Sequence, residues 1–307
     1  MNKTKVLITG SNGLLGQKLV NLFVANKFEV IATSKGKNRN PLTDNYEYFN
    51  ANITNFDKIY KFIKKTQPNF IINTAAMTNV DNCELRKREC KELNAKVVKN
   101  LANASEEFNI HLIQISTDFV FKGKKGYYTE DDKPNPANYY GETKLKSEKY
   151  LKRYDINYTI LRTIILYGLI ENSSKNNFVL WVKNSLEQGK SINIVTDQYR
   201  MPTYVNDLAF ACLQSVKKKA KGIYHISSNE LLSIYEMALE VANTFNLNKD
   251  LIKPILTEKL NQKAIRPTKT GFIIDKAVAE LGLKPMSFKE QLPIFKKELE
   301  NQKNATN

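Results

Sequence analysis

Short, continuous apolar runs alternate with longer segments whose apolar residues recur every three or four positions through the first half of the chain. The runs at Lys5–Thr9 (KVLIT), 29–33, Phe70–Asn73 (FIIN), 111–116 and 158–162 have the length and composition of buried parallel strands. Between them, helical periodicity predicts helices over 14–26, 55–66, 83–108 and 139–154. The first of these carries Leu15, Leu19, Leu22 and Phe23 on one face. Asn52 or Thr54 would cap the second, and Pro68 would close it. Strands alternating with helices of this length need right-handed crossovers. They predict an α/β fold, a doubly wound parallel sheet with helices on both faces. After Leu166 the rhythm loosens, with Pro202, Pro254, Pro267 and Pro285 as punctuation. This half reads as a smaller C-terminal lobe over the carboxyl edge of the sheet, where such sheets bind ligands.

Composition narrows the classes. The chain has 307 residues, 42% hydrophobic and 25% charged, which is ordinary for a globular protein. No apolar run approaches the roughly 20 residues that span a bilayer. The N-terminus runs straight into a strand pattern without a leader, so a cytoplasmic location is expected. The cysteines, Cys83, Cys90 and Cys212, are odd in number and argue against a disulfide framework, although Cys83 and Cys90 could share a helix face. His111 and His225 lie far apart, which disfavours a His-rich metal site or a Ser/His/Asp triad. The net charge of +16 is spread widely and comes mostly from lysine. Its densest run, 217–221, lacks interleaved aromatics and reads as a solvated helix end. The charge suits an anionic small-molecule substrate, and neither nucleic acid nor membrane is an expected partner.

The segment Gly10-Ser11-Asn12-Gly13-Leu14-Leu15-Gly16 joins the first strand to the first helix. There, backbone N–H groups can approach a pyrophosphate at the helix N-terminus. This places a Rossmann-type NAD(P)-binding domain at 1–165, with 204–226 returning to it. Residues 166–203 and 227–307 would form the substrate-binding lobe. The second strand runs on into Ser34, Lys35 and Lys37 with no acid, so a 2′-phosphate is favoured over a free 2′-hydroxyl. NADP(H) is preferred and NAD(H) possible.

Tyr140 and Lys144 stand at i and i+4, on one helix face. The ammonium is expected to lower the phenol's pKa from its ordinary ~10 so that it can act as general acid or base. The pair follows the strand that ends in Ser116-Thr117-Asp118.

With these motifs the chain resembles the dTDP-4-dehydrorhamnose reductase family of the extended short-chain dehydrogenases. The likeness spans nearly the whole chain. It includes Asn73 to Asp81 with Glu84, Ser116 to Phe121, Pro136 to Lys144, Leu161-Arg162-Thr163, Asp197-Gln198 with Pro202-Thr203, Asp207-Leu208-Ala209 and Arg266-Pro267. The resemblance implies an oxidoreductase that reduces the 4-keto group of a nucleotide-linked sugar with NADPH, most simply dTDP-4-dehydro-L-rhamnose to dTDP-L-rhamnose. It implies Tyr140 as proton donor to the keto oxygen, Lys144 as ligand of the nicotinamide ribose and Thr117 as a hydrogen-bond donor to that oxygen. Cofactor contacts would also come from Ser116, Asn52, Ile53, Ala75, Ala76, Met77 and Thr78, and Asn94 would support the catalytic helix. Asp118, Asn177, Arg200 and Arg266 would meet sugar or nucleotide, as would Phe119 and Ile165, which stand where the family carries Tyr and Trp. A homodimer is implied by analogy.

Two rival readings share the fold. A dehydratase or epimerase would need a second acid after Asp118, where Phe119 stands, or a tightly held NAD. A non-catalytic NADP-binding subunit is the other, since 199–203 and 235–238 look similar to the methionine adenosyltransferase regulatory β subunit.

Overall fold

The computed structural model describes residues 3–172 and 177–306. In chain order the elements are β1 (Lys5–Thr9), α1 (Leu14–Ala25), β2 (Glu29–Ser34), β3 (Tyr46–Asn50), α2 (Phe56–Thr66), β4 (Phe70–Asn73), α3 (Val80–Leu85), α4 (Lys87–Lys91), α5 (Val97–Glu107), β5 (His111–Thr117), β6 (Gly126–Tyr128), α6 (Tyr139–Leu151) and β7 (Tyr158–Thr163). The second half continues with β8 (Leu166–Tyr167), α7 (Phe178–Glu187), β9 (Ile192–Val195), β10 (Tyr199–Arg200), β11 (Thr203–Tyr204), α8 (Val205–Lys218), β12 (Gly222–Ile226), β13 (Leu232–Ser233), α9 (Ile234–Phe245), β14 (Ile252–Ile255), β15 (Lys269–Phe272) and α10 (Phe288–Thr306).

Seven strands form one parallel sheet in the order β12-β7-β5-β4-β1-β2-β3. Alternation along each strand sorts its side chains onto two faces. Leu7, Ile31, Ile71 and Leu112 join Ile59 and Ile63 of α2 and Val97 and Leu101 of α5 in one core. Val6, Ile8, Val30 and Ile72 face the other way, into a larger core with Leu19 and Phe23 of α1, Leu208 and Val216 of α8 and Phe288 and Leu292 of α10. That larger core continues without a break into α7 and α9. The strand order reverses between β1 and β4, so the helices that follow them diverge to opposite faces. A crevice is left at the carboxyl ends of this pair.

Several elements differ from the sequence reading. The cap of α2 is Asn55, whose side chain accepts from Lys58 N at 3.1 Å. Asn52 instead accepts from Thr54 N, closing the turn before the cap. The helix expected over 83–108 starts earlier, at Val80, capped by Asn79. It breaks at Arg86 (φ −123°, ψ 52°) and passes through a π-helical turn, Glu92–Lys96, before α5. Cys83 and Cys90 therefore sit on separate helices, both fully buried. Strand β3 was not expected. It lies at the sheet edge, and its Tyr, Glu and Phe side chains are too polar and too exposed to give a buried-strand run. The basic run at 217–221 is the end of α8, as its composition suggested.

In the second half, β13-β10-β15-β6 form a small mixed sheet, while β12 returns to pair with β7.

Candidate active site

At the end of β1 the chain must turn sharply and enter α1 in close contact with the turn itself. A Cβ on Gly16 would stand 2.3 Å from the Gly10 carbonyl oxygen, so only glycine fits there. Gly13 caps α1 without a side-chain hydrogen bond. The first-turn N–H groups are left open, the arrangement that receives a phosphate anion. The Ser11 hydroxyl is buried in the turn and has no hydrogen-bond partner. An orphan donor beside free N–H groups fits a pyrophosphate. Asn12 is tied up in the protein. It donates to Lys37 O at 2.8 Å and accepts from Arg39 N at 2.9 Å, fixing the glycine turn to the loop after β2. Lys35 and Lys37 on that loop are exposed, and no ion pair engages them among the described residues.

Across the crevice, the segment after β4 carries Ala75, Ala76, Met77 and Thr78. Asn94 holds it from the π-helical turn. Its side chain accepts from Met77 N at 2.8 Å and donates to Met77 O at 3.0 Å. Asn94 thus supports the groove wall through backbone contacts. Asn52 and Ile53 stand at the far end, after β3, with Asn52 exposed.

The residues expected to react converge from β5 and α6. A Cβ on Gly141 would lie 2.1 Å from the Phe119 carbonyl oxygen, so this glycine lets α6 approach the end of β5. The helix is capped by Asn138, and Glu84 accepts from Tyr139 N at 2.7 Å. Tyr140 is thereby brought into hydrogen bonding with Thr117. Thr117 also donates to Asp118 Oδ1 at 3.0 Å. Lys144 Nζ donates to Ile115 O at 2.6 Å.

Burial, reinforced by the Asp118 carboxylate and opposed by the Thr117 hydrogen bond, pushes the Tyr140 phenol well above its usual range. This corrects the expected lowering. Lys144 points to a backbone carbonyl, and loss of solvent outweighs any stabilisation of the phenolate. The same burial draws the Lys144 ammonium down to about 8, with Glu148 acting in the opposite sense.

A cavity of about 280 Å³ is lined by Phe119, Ile165, Phe178, Trp181, Arg200 and Arg266 among others. Phe119 contacts Tyr140 edge-on, with ring centroids 5.8 Å apart. Ile165 has φ +33°, unusual for a β-branched residue.

The polar groups assigned to substrate are occupied in this structure. Arg200 is 2% exposed and donates to the carbonyls of Tyr199, Pro267 and Thr268. It also pairs with Asp118 at 3.7 Å. Asp118 is equally buried and accepts from Thr270, and burial raises its pKa. Asn177 caps α7, accepting from Leu180 N and donating to Gly168 O. Arg266 forms a two-bond ion pair with Asp81, at 2.6 and 2.7 Å, which holds the Asp81 carboxyl down to about 2. Ser116 turns away from the crevice and donates to Glu148 at 2.6 Å. Phe178 and Trp181 were not foreseen as lining residues, because their only sequence signal is that of an ordinary helix.

Residues 4–301 match the family model described as RmlD substrate binding domain. Methionine adenosyltransferase 2 subunit beta of Xenopus tropicalis is 34% identical over 83% of this chain and 76% of that protein. A dTDP-4-dehydrorhamnose reductase of Aggregatibacter actinomycetemcomitans is 31% identical over 94% of this chain and 97% of its own length. The crystal structure of dTDP-4-dehydrorhamnose reductase from Bacillus anthracis in complex with NADP superposes with a TM-score of 0.85 at 29% identity. It covers 97% of this chain and 100% of the other.

Proposed function

This chain belongs to the RmlD substrate binding domain family, and on that premise we propose that it reduces dTDP-4-dehydro-L-rhamnose to dTDP-L-rhamnose with NADPH. The observation that carries this reading is that α6 brings Tyr140 to Thr117 at the end of β5, with Lys144 one turn further along the same helix bonded to Ile115 of that strand.

NADPH, when bound, supplies the hydride. The turn from Gly10 to Gly16 binds its pyrophosphate, with Ser11 as an added donor, while Ser34 and Lys35 favour the 2′-phosphate. Asn52 and Ile53 flank the adenine, and Ala75, Ala76, Met77 and Thr78 line the groove. Tyr140 gives its proton to the 4-keto oxygen. A phenol with a raised pKa holds that proton at neutral pH, which suits the reducing direction. Thr117 donates a second hydrogen bond to the same oxygen once its hydroxyl rotates away from Asp118, and Lys144 holds the nicotinamide ribose. Phe119 and Ile165 present an apolar wall to the sugar ring. For Asn177, Arg200 and Asp118 we propose a supporting role in shaping the cavity, since their polar atoms are already bonded. Arg266 can serve a diphosphate only by exchanging it for Asp81.

The nucleotide-binding domain comprises 1–165 and 204–226 in this reading, and the remainder is the substrate lobe. The protein acts in the cytoplasm on a nucleotide-sugar, as a homodimer and without nucleic-acid or membrane partners. Among the described residues no helix is long and apolar enough to cross a membrane.

The test is NADPH absorbance after adding dTDP-4-dehydrorhamnose, with NADH in parallel. Rapid oxidation, faster with NADPH, is the expected result. No oxidation by a chain that binds NADPH would overturn the reaction and favour the non-catalytic subunit reading.

A further inference from the structure

Glu148 lies one helical turn beyond Lys144 and is 1% exposed. Its carboxylate accepts three hydrogen bonds. One comes from Ser116 Oγ of β5 at 2.6 Å, and two come from Arg162 of β7, from Nε at 3.0 Å and Nη2 at 2.7 Å. Arg162 is as deeply buried, with its guanidinium 5.1 Å over the Phe121 ring. Its Nη1 lies 3.2 Å from His225 Nε2, and His225 Nδ1 lies 3.1 Å from Tyr128 O. A carbonyl can only accept, so the proton of His225 sits on Nδ1 and Nε2 accepts from Arg162. Neutral His225 closes the network at that end, and burial and Arg162 hold its pKa down to about 3.

The geometry has two consequences. First, α6 is stitched to consecutive residues of β5, with Lys144 bonded to Ile115 and Glu148 to Ser116. The next residue on that strand is Thr117, so the same stitching sets Thr117 against Tyr140. Second, this part of the interior holds two cations, Lys144 and Arg162, and the anion Glu148, paired with Arg162 and one helical turn from Lys144. Without the anion, the guanidinium keeps its proton and the ammonium gives way.

We propose that Glu148 is a positioning residue that registers α6 against β5 and keeps Lys144 charged for its cofactor contact. This rests on Lys144 being the ribose ligand, not on which sugar is reduced. The ionisable groups that bear on Lys144 are Glu148 on its own helix and the thiols of Cys90 on α4 and Cys83 on α3. Arg162 faces Glu148 from β7.

The experiment measures NADPH affinity by fluorescence titration from pH 6 to 10, which needs no sugar substrate, for the wild type, Glu148→Gln and Glu148→Asp. In the wild type, affinity weakens as pH rises through about 8. In Glu148→Gln the transition moves down by about one unit, so binding at pH 8 is roughly tenfold weaker. Glu148→Asp keeps the charge and returns the transition towards the wild-type position. A Gln variant with lowered Tm but an unmoved transition would reduce Glu148 to a packing role and overturn the proposal, as would an Asp variant that shifts as far as Gln. If Glu148→Gln does not fold, the Glu148→Gln/Arg162→Met double variant is compared with Arg162→Met alone, from which it differs only by the carboxylate: the transition should lie lower in the double variant, and equal transitions would overturn the proposal. A wild type that binds NADPH but turns over no keto-sugar would refute the assigned reaction and leave this result standing.

Discussion

Tyr140 combines two properties that usually conflict, a proton held tightly and a route for giving it up. Burial supplies the first, and Thr117 and the positively charged Lys144 nearby supply the second when charge develops on the phenol oxygen. Tyr140→Phe removes the proton and keeps the ring against Phe119. It should lower kcat by about 10²–10⁴-fold, with the NADPH dissociation constant nearly unchanged. Residual turnover near the wild-type rate would remove Tyr140 as the acid. The placement of these residues was legible in the sequence because helical spacing alone puts positions 140 and 144 on one face, and the strand before supplies Thr117. The Asp81–Arg266 pair was not legible, because its members are 185 residues apart. Arg200 illustrates a different limit. Its charge is visible in the sequence, but the three carbonyls that consume its donors are not.

Among the elements, the strand–turn–helix at residues 5–25 depends on one atom. Gly16→Ala would drive a methyl into the Gly10 carbonyl, forcing the start of α1 off the turn. The expected result is loss of measurable NADPH binding and destabilisation by about 2 kcal/mol or more, read by titration and denaturant unfolding. Wild-type affinity in that variant would separate the turn from cofactor binding. Elements with a strong period were readable to within a few residues, as at β1, β4 and α1. The long helix was not, because its break at Arg86 and its π-helical turn carry no proline or glycine to announce them. The tertiary contact of Asn94 with Met77 coincides with that turn, a cause the local sequence does not contain.

At the scale of the molecule, α10 is locked to α8 through Gln291, which donates to Asp207 and accepts from Tyr167. Burial raises the Asp207 carboxyl from 3.8 to about 6. A carboxyl raised in the fold favours its neutral form, so the penalty for its charge is absent below the unfolded value, grows as pH rises from about 4 to 6 and is complete above about 6. Asp207→Asn keeps an acceptor for Gln291 and removes that charge. It should stabilise the protein by up to about 3 kcal/mol at pH 8, a gain that fades as pH falls from 6 to 4. A pH-independent difference in Tm would refute the assignment.

The return of β12 to β7 has a consequence for synthesis. These neighbours in the sheet are separated by about 60 residues of intervening chain, so β7 emerges from the ribosome several seconds before its partner at ordinary rates of translation. During that interval an apolar strand presents a free edge, the feature from which chains recruit one another. A nascent or truncated chain ending near residue 165 is therefore the species most exposed to aggregation. The yield of soluble protein should depend on how quickly the next 60 residues follow.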